Sequence, residues 1–166
     1  MPRSMEPALV SDATELAALH TRTAAALTAR FGKGYWSVSV SPEGMQRRLR
    51  EDHVLLLRLG RRIVATLRLT ARKPWAIDRS FFVAGQKPLY LLDMAVAPER
   101  QGSGIGRRCL EDAKAAARAL GADTIRLDAY DAPAGAGGFY QACGFRETGR
   151  AVYRKVPLIY YELLLP

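Results

Sequence analysis

An α/β layer on one mixed sheet is the fold class this sequence predicts, and three observations point to it. The chain reads in the order strand, two helices, three strands, helix, strand, helix, two strands. Two apolar runs near the middle meet at a short glycine turn, the pattern of an antiparallel hairpin. Later, a strand runs into a glycine-rich turn that opens a helix. With 166 residues and no internal repeat or low-complexity linker, one domain spanning 1–166 is expected.

The elements follow in order. Ala8 to Val10 reads as a short first strand. Asp12 with Glu15 three positions on has the spacing of a capping box, opening a helix that carries Leu16, Leu19 and Leu27 and ends near Gly32. An aromatic loop follows, from Phe31 to Trp36. Ser41 and Pro42 supply an N-cap and a first-turn proline for a second helix through Met45 and Leu49. His53 to Leu59 and Arg62 to Thr70 form the hairpin, turning at Gly60 and Arg61. The connection from Ala71 to Lys87 is long for a compact domain, and it suits a substrate-side flap or an insertion covering the core equally well.

Tyr90 to Val96 is the next strand, closed by Pro98. A helix from about Gly106 to Leu120 sets Leu110, Ala113, Ala117 and Leu120 along one face, with acids early, bases late and Gly121 at its end. Thr124 to Tyr130 is a strand, a short helix lies around Ala136 to Cys143, and an antiparallel pair ends at Leu165.

Composition bounds the function. The chain has 25 Lys and Arg against 16 Asp and Glu, a formal charge of +9, which invites an anionic partner. Most of the basic residues are Arg, and Ala is abundant, a bias that codon composition alone can produce. No stretch interleaves basic and aromatic residues as a nucleic-acid-binding motif would, so nucleic acid is not an expected partner. Apolar runs stop far short of the ~20 residues of a membrane span. The first ten residues carry no apolar signal core, so a cytoplasmic setting is expected, with Cys109 and Cys143 reduced. No cluster of His, Cys, Asp and Glu has metal-ligand spacing, and no metal is expected. His20 and His53 read as structural or exposed. Cys109, near a helix start, could be reactive, yet a small buried apolar role suits it better.

The segment from Gln101 to Arg107 carries the most information. Gly102, Gly104 and Gly106 alternate between a strand and a helix N-terminus, where the backbone can approach a ligand and the first N–H groups lack intrahelical partners. That is a nest for an anion such as a pyrophosphate, with Arg107 and Arg108 adding charge. A Walker loop would need Gly-Lys-Ser/Thr at its end, and the dinucleotide fingerprint needs a third glycine where this chain has Arg107 or Cys109.

Gln101-Gly102-Ser103-Gly104-Ile105-Gly106 resembles the Gln/Arg-x-x-Gly-x-Gly/Ala motif of the GNAT superfamily of acetyl-CoA-dependent N-acetyltransferases, and Phe139-Tyr140 followed by Gly144-Phe145 resembles that family's later helix. The resemblance covers the element order of the whole chain. It implies a mixed sheet of about six or seven strands with about four helices. It also implies acetyl-CoA bound by the backbone of Met94, Ala95 and Val96 and by Gln101, Gly102, Ser103, Gly104, Ile105, Gly106 and Arg107. The cofactor would lie in an opening between the strands at Met94 and Leu127. Tyr140 matches the tyrosine that protonates the departing thiolate, a proton a positioned phenol can supply. Some relatives carry a Glu-Asp pair on the cofactor strand; here it is Leu92-Asp93, so Asp93 is the candidate base or substrate anchor, with Asp128 and Tyr130 behind it. Pro133 stands where many relatives have Asn.

The expected reaction is direct acetyl transfer in a ternary complex to a primary amine of a small or amino-acid-like acceptor. Selection of that acceptor falls to Phe31–Ser37, the Trp75–Phe82 loop and the last two strands. A protein or peptide amine is the alternative acceptor, and a non-catalytic acetyl-CoA-binding module the alternative class. The acceptor's identity and a homodimer stay open at this point.

Overall fold

The computed structural model describes residues 3–83 and 85–166. Met1, Pro2 and Ala84 lie outside them, and with them one position of the expected 71–87 connection. The elements are β1 (Glu6–Pro7), α1 (Ala13–Phe31), α2 (Pro42–Glu51), β2 (His53–Leu59), β3 (Arg62–Thr70), β4 (Pro88–Val96), α3 (Ile105–Ala119), β5 (Thr124–Tyr130), α4 (Gly137–Ala142), β6 (Arg146–Tyr153) and β7 (Val156–Leu164). The strands form one mixed sheet in the order β1-β2-β3-β4-β5-β7-β6. By its contacts the chain divides into two compact units: Met1–Leu69 with Leu92–Asp112, and Thr70–Leu91 with Ala113–Pro166.

In the first unit, β1 pairs antiparallel with β2 through Glu6↔Leu56, and β2 with β3 from His53↔Leu69 to Leu59↔Arg62. Gly60, at φ +62°, makes the tight turn. Leu56, Leu67 and Leu69 are fully buried, as are Leu16 and Leu19 of α1 and Met45 of α2 within rounding. Helix α2 starts as its sequence dictates: Ser41 Oγ accepts the Gly44 N–H at 3.0 Å, and Pro42 occupies the first turn.

The start of α1 differs from expectation. The first strand is Glu6–Pro7 rather than Ala8–Val10, and a 3-10 turn occupies Val10–Asp12. Asp12 does not cap α1 through its side chain. Its carboxylate accepts the Leu9 N–H at 2.8 Å and pairs with Arg58, while Glu15 accepts the Ile63 N–H at 2.8 Å. The two acids tie the helix start to β2 and β3 instead of closing a local box.

In the second unit, β4 begins parallel to β5 from Pro88↔Thr124 to Tyr90↔Arg126. Antiparallel β7 follows from Thr124↔Leu164 to Tyr130↔Leu158, and β6 pairs with β7 around a bulge between Glu147 and Gly149. Arg154 and Lys155, at φ +48° and +70°, turn the β6–β7 hairpin. The connection before β4 covers a core. Ile77 and Phe82 are buried with Tyr90 and Tyr160, Phe81 stacks edge-on to Tyr160 at 5.2 Å, and the Tyr160 hydroxyl donates to the Ala76 carbonyl. Beneath Phe82, Arg126 lies 4.9 Å from the ring and pairs with buried Glu162. Of the two expected roles for this connection, the packing supports the cover; Trp75 nevertheless stands 86% exposed at its start.

Candidate active site

The first unit carries the glycine-rich turn. After β4, the Ala97 N–H donates to the Val64 carbonyl at 2.8 Å, and a 3-10 turn spans Pro98–Arg100. Gln101 Nε2 then reaches back to the Val96 carbonyl at 3.1 Å, and Ser103 Oγ donates to the Arg100 carbonyl. Gly102 and Gly104 adopt φ +76° and +85°, the left-handed region that side chains disfavour. A Cβ built at either would meet nothing within 4 Å, so conformation, not crowding, demands glycine there, and the space above the turn is open. The Arg108 N–H closes the first α3 hydrogen bond onto the Gly104 carbonyl at 3.1 Å. The N–H groups that precede such a bond have no partner within the helix and carry partial positive charge. Arg107 and Arg108 follow in the first turn of the helix, and the Arg108 guanidinium pairs with Asp112 at 3.8 Å.

Upstream on β4, Asp93 sits at φ +54°. Its Oδ2 accepts from Arg48 of α2 at 2.9 Å and from Arg68 of β3 at 2.8 Å, and Arg68 also pairs with Asp52 at 2.5 Å. His20 of α1 stands in the field of the same cluster. Burial holds its pKa below the usual value, with Asp93 opposing that shift and the two arginines adding to it. Nothing in the spacing of the sequence linked Arg48, Arg68 and His20 to Asp93; strand pairing and helix packing bring them together.

The second unit carries the phenol. Tyr140 is 8% exposed on α4, with the rings of Phe139, Phe145 and Tyr161 at 5.3, 5.6 and 6.3 Å. Burial first, then the Asp128 charge and Cys143, push its pKa well above that of an ordinary phenol. Asp128 of β5 is itself pushed up to about 6 by burial. Two glycines seat α4 for steric reasons: a Cβ on Gly137 would lie 2.3 Å from the Tyr161 hydroxyl, and one on Gly135 would lie 1.9 Å from the Tyr130 carbonyl. Beside the helix is a cavity of about 510 Å³ whose lining includes Asp131, Pro133, Gly138, Gln141 and Tyr161. Cys109 is fully buried and its thiol is pushed up to about 12 by that burial, so the helix start does not activate it. Among the described residues no group of His, Cys, Asp and Glu could hold a metal ion, and no helix is long and apolar enough to cross a membrane.

Residues 21–145 match the family model described as Acetyltransferase (GNAT) family. Aminoglycoside N(6')-acetyltransferase type 1 of Stenotrophomonas maltophilia is 40% identical over 63 residues, a stretch that spans 38% of this chain and 41% of that protein. Among solved structures, the ribosomal-protein-S18-alanine N-acetyltransferase of Escherichia coli superposes with a TM-score of 0.73 at 16% identity, covering 98% of this chain and 93% of its own. The protein yncA of Salmonella typhimurium, solved with its cofactor acetyl-CoA, gives a TM-score of 0.69 at 16% identity over 98% and 94% of the two chains. At these identities the structural likeness establishes a shared fold.

Proposed function

The chain belongs to the GNAT family of acetyltransferases, and from that premise we propose that it moves an acetyl group from acetyl-CoA directly to the primary amine of a small acceptor. The observation that carries this reading is the left-handed pair Gly102 and Gly104 opening onto α3, which suits the diphosphate of the donor. Acetyl-CoA supplies an activated thioester carbonyl. The backbone of Met94, Ala95 and Val96 pairs with the donor's pantetheine arm, an N–H near Ala95 polarises the carbonyl, and Gln101 to Arg107 hold the phosphates.

Two protons must move. The attacking amine gives up one, and the departing thiolate needs one. Tyr140 supplies the second: burial keeps the phenol protonated at neutral pH, so it holds the proton that the thiolate needs. The first goes to Asp128, whose carboxyl near 6 is ionised at neutral pH yet more basic than an exposed carboxylate. The two are coupled. The Asp128 charge opposes ionisation of Tyr140, so Tyr140 becomes the stronger acid once Asp128 has taken the amine proton. Asp93 is engaged instead by two guanidinium groups, Arg48 and Arg68, on one carboxylate oxygen.

The small-molecule acceptor is supported by the 63-residue likeness to an aminoglycoside 6'-acetyltransferase. Thiol release from acetyl-CoA, followed over primary amines, amino acids, aminoglycosides and short peptides with Tyr140→Phe run beside the parent, tests the reading. A small amine turned over by the parent, with kcat at least ~10-fold lower in the variant, is the expected result. Turnover of peptides alone would move the acceptor to a protein chain. A blank panel with acetyl-CoA still bound would make the chain a binding module.

A further inference from the structure

We propose that Asp93 is a positioning residue: clamped between Arg48 and Arg68, its carboxylate holds β4 in a left-handed kink that aims the backbone groups of Met94, Ala95 and Val96. Among the described residues, three that are not glycine have positive φ: Asp93, Arg154 and Lys155. The last two make a hairpin turn, where this conformation is routine. Asp93 adopts it inside a strand, at φ +54°, where glycine is the default and Asp one of the few side chains that tolerate it.

What holds the kink comes from two neighbouring elements and from Asp52, the residue that ends α2. Arg48 comes from α2 and Arg68 from β3, both on Oδ2 of Asp93, and Arg68 is gripped in turn by Asp52, whose side chain is 2% exposed. Two guanidinium groups and two carboxylates thus grip one another, with His20 of α1 in their field. The kink also marks a break in the strand's burial pattern. Leu89, Tyr90 and Leu91 are buried in succession, whereas Leu92, Asp93 and Met94 are half-buried and Ala95 is buried again. Downstream, the Ala97 N–H is fixed to the Val64 carbonyl and Gln101 Nε2 to the Val96 carbonyl. The segment 94–96 is therefore held at both ends, by the clamp before it and the pins after it. This inference rests on the reading that these backbone groups meet acetyl-CoA; the clamp itself does not.

The discriminating pair of variants is Asp93→Gly and Asp93→Ala, made in the full-length chain. Glycine takes φ +54° without help, and alanine does not. Calorimetric titration with acetyl-CoA is expected to show affinity weakened ~10-fold by Asp93→Ala and kept within ~3-fold of the parent by Asp93→Gly. A second comparison survives even if Asp93→Ala fails to fold. Arg48→Gln is expected to weaken binding ~5-fold in the parent and to have no such effect in Asp93→Gly, because the clamp has nothing left to hold. Equal losses of affinity in the glycine and alanine variants would overturn the proposal; so would equal losses of turnover with acetyl-CoA affinity unchanged and one ionisation missing from the pH–rate profile, which would make Asp93 a base. If the parent does not bind acetyl-CoA, the functional reading fails separately, and amide hydrogen exchange at Met94–Val96 decides the clamp. Protection lost with Arg48→Gln in the parent but kept with Arg48→Gln in Asp93→Gly upholds it, and equal protection in all variants overturns it.

Discussion

Burial lifts the Asp128 carboxyl from 3.8 to about 6, so at neutral pH the folded chain carries an ionised acid in a place that disfavours it. Below about pH 4 the group is protonated whether the chain is folded or not. Between there and 6 the folded form keeps a proton that the unfolded form has lost, so this contribution to stability is lost as pH rises through 6. A shift of that size corresponds to roughly 1–3 kcal/mol. Asp128→Asn is therefore expected to stabilise the chain at about pH 7.5 by that amount, and to leave stability at about pH 3.5 unchanged, in denaturant titrations. The same variant lowers the rate of thiol release at least ~10-fold if Asp128 takes the amine proton. Stabilisation of equal size at both pH values would break the link to this ionisation. The place of Tyr140 on a short helix was legible from its Phe-Tyr and Gly-Phe context. The burial of Asp128 was not, because alternation along a strand does not reveal how dry a position will be.

At the level of elements, glycines divide into those required by conformation and those required by crowding. Gly104 has open space around its Cβ position and φ +85°, whereas Gly137 has the Tyr161 hydroxyl 2.3 Å from a built Cβ. Gly104→Ala is expected to cost about 1 kcal/mol of stability and to weaken acetyl-CoA binding at least ~10-fold. Gly121→Ala is the control, with φ +83° and nothing within 4 Å, in a turn other than the glycine-rich one. It should cost similar stability and leave binding alone. Gly137→Ala should instead lower kcat, with acetyl-CoA affinity within ~3-fold of the parent, because it unseats the helix that carries Tyr140.

Strands β2, β3 and β5 and the N-cap of α2 were readable because local pattern and tertiary role agree. The start of α1 was not. Asp12 and Glu15 have the spacing of a capping box, yet their carboxylates are used by Arg58 and the Ile63 N–H from elements that a local reading cannot see. The clamp on Asp93 was invisible for the same reason, since Arg48 and Arg68 lie 45 and 25 residues away in the chain.

Over the whole molecule, the seven-stranded mixed sheet and the match to the GNAT family model across residues 21–145 are the two large-scale facts that the glycine motif and element order foretold; the order of the strands within the sheet was not among the expectations. The charge of +9 is not reduced by the carboxylates that engage the Arg48, Arg58, Arg68 and Arg126 guanidinium groups, because each such pair uses an acid as well as a base. The reaction proposed for this chain is direct transfer between two bound substrates. Initial rates over a grid of acetyl-CoA and acceptor concentrations, with the intact mass of the protein recorded after acetyl-CoA alone, address it most directly. Direct transfer predicts intersecting double-reciprocal lines and a protein mass that does not change. Parallel lines, with the chain gaining the mass of one acetyl group before any acceptor is added, would contradict it.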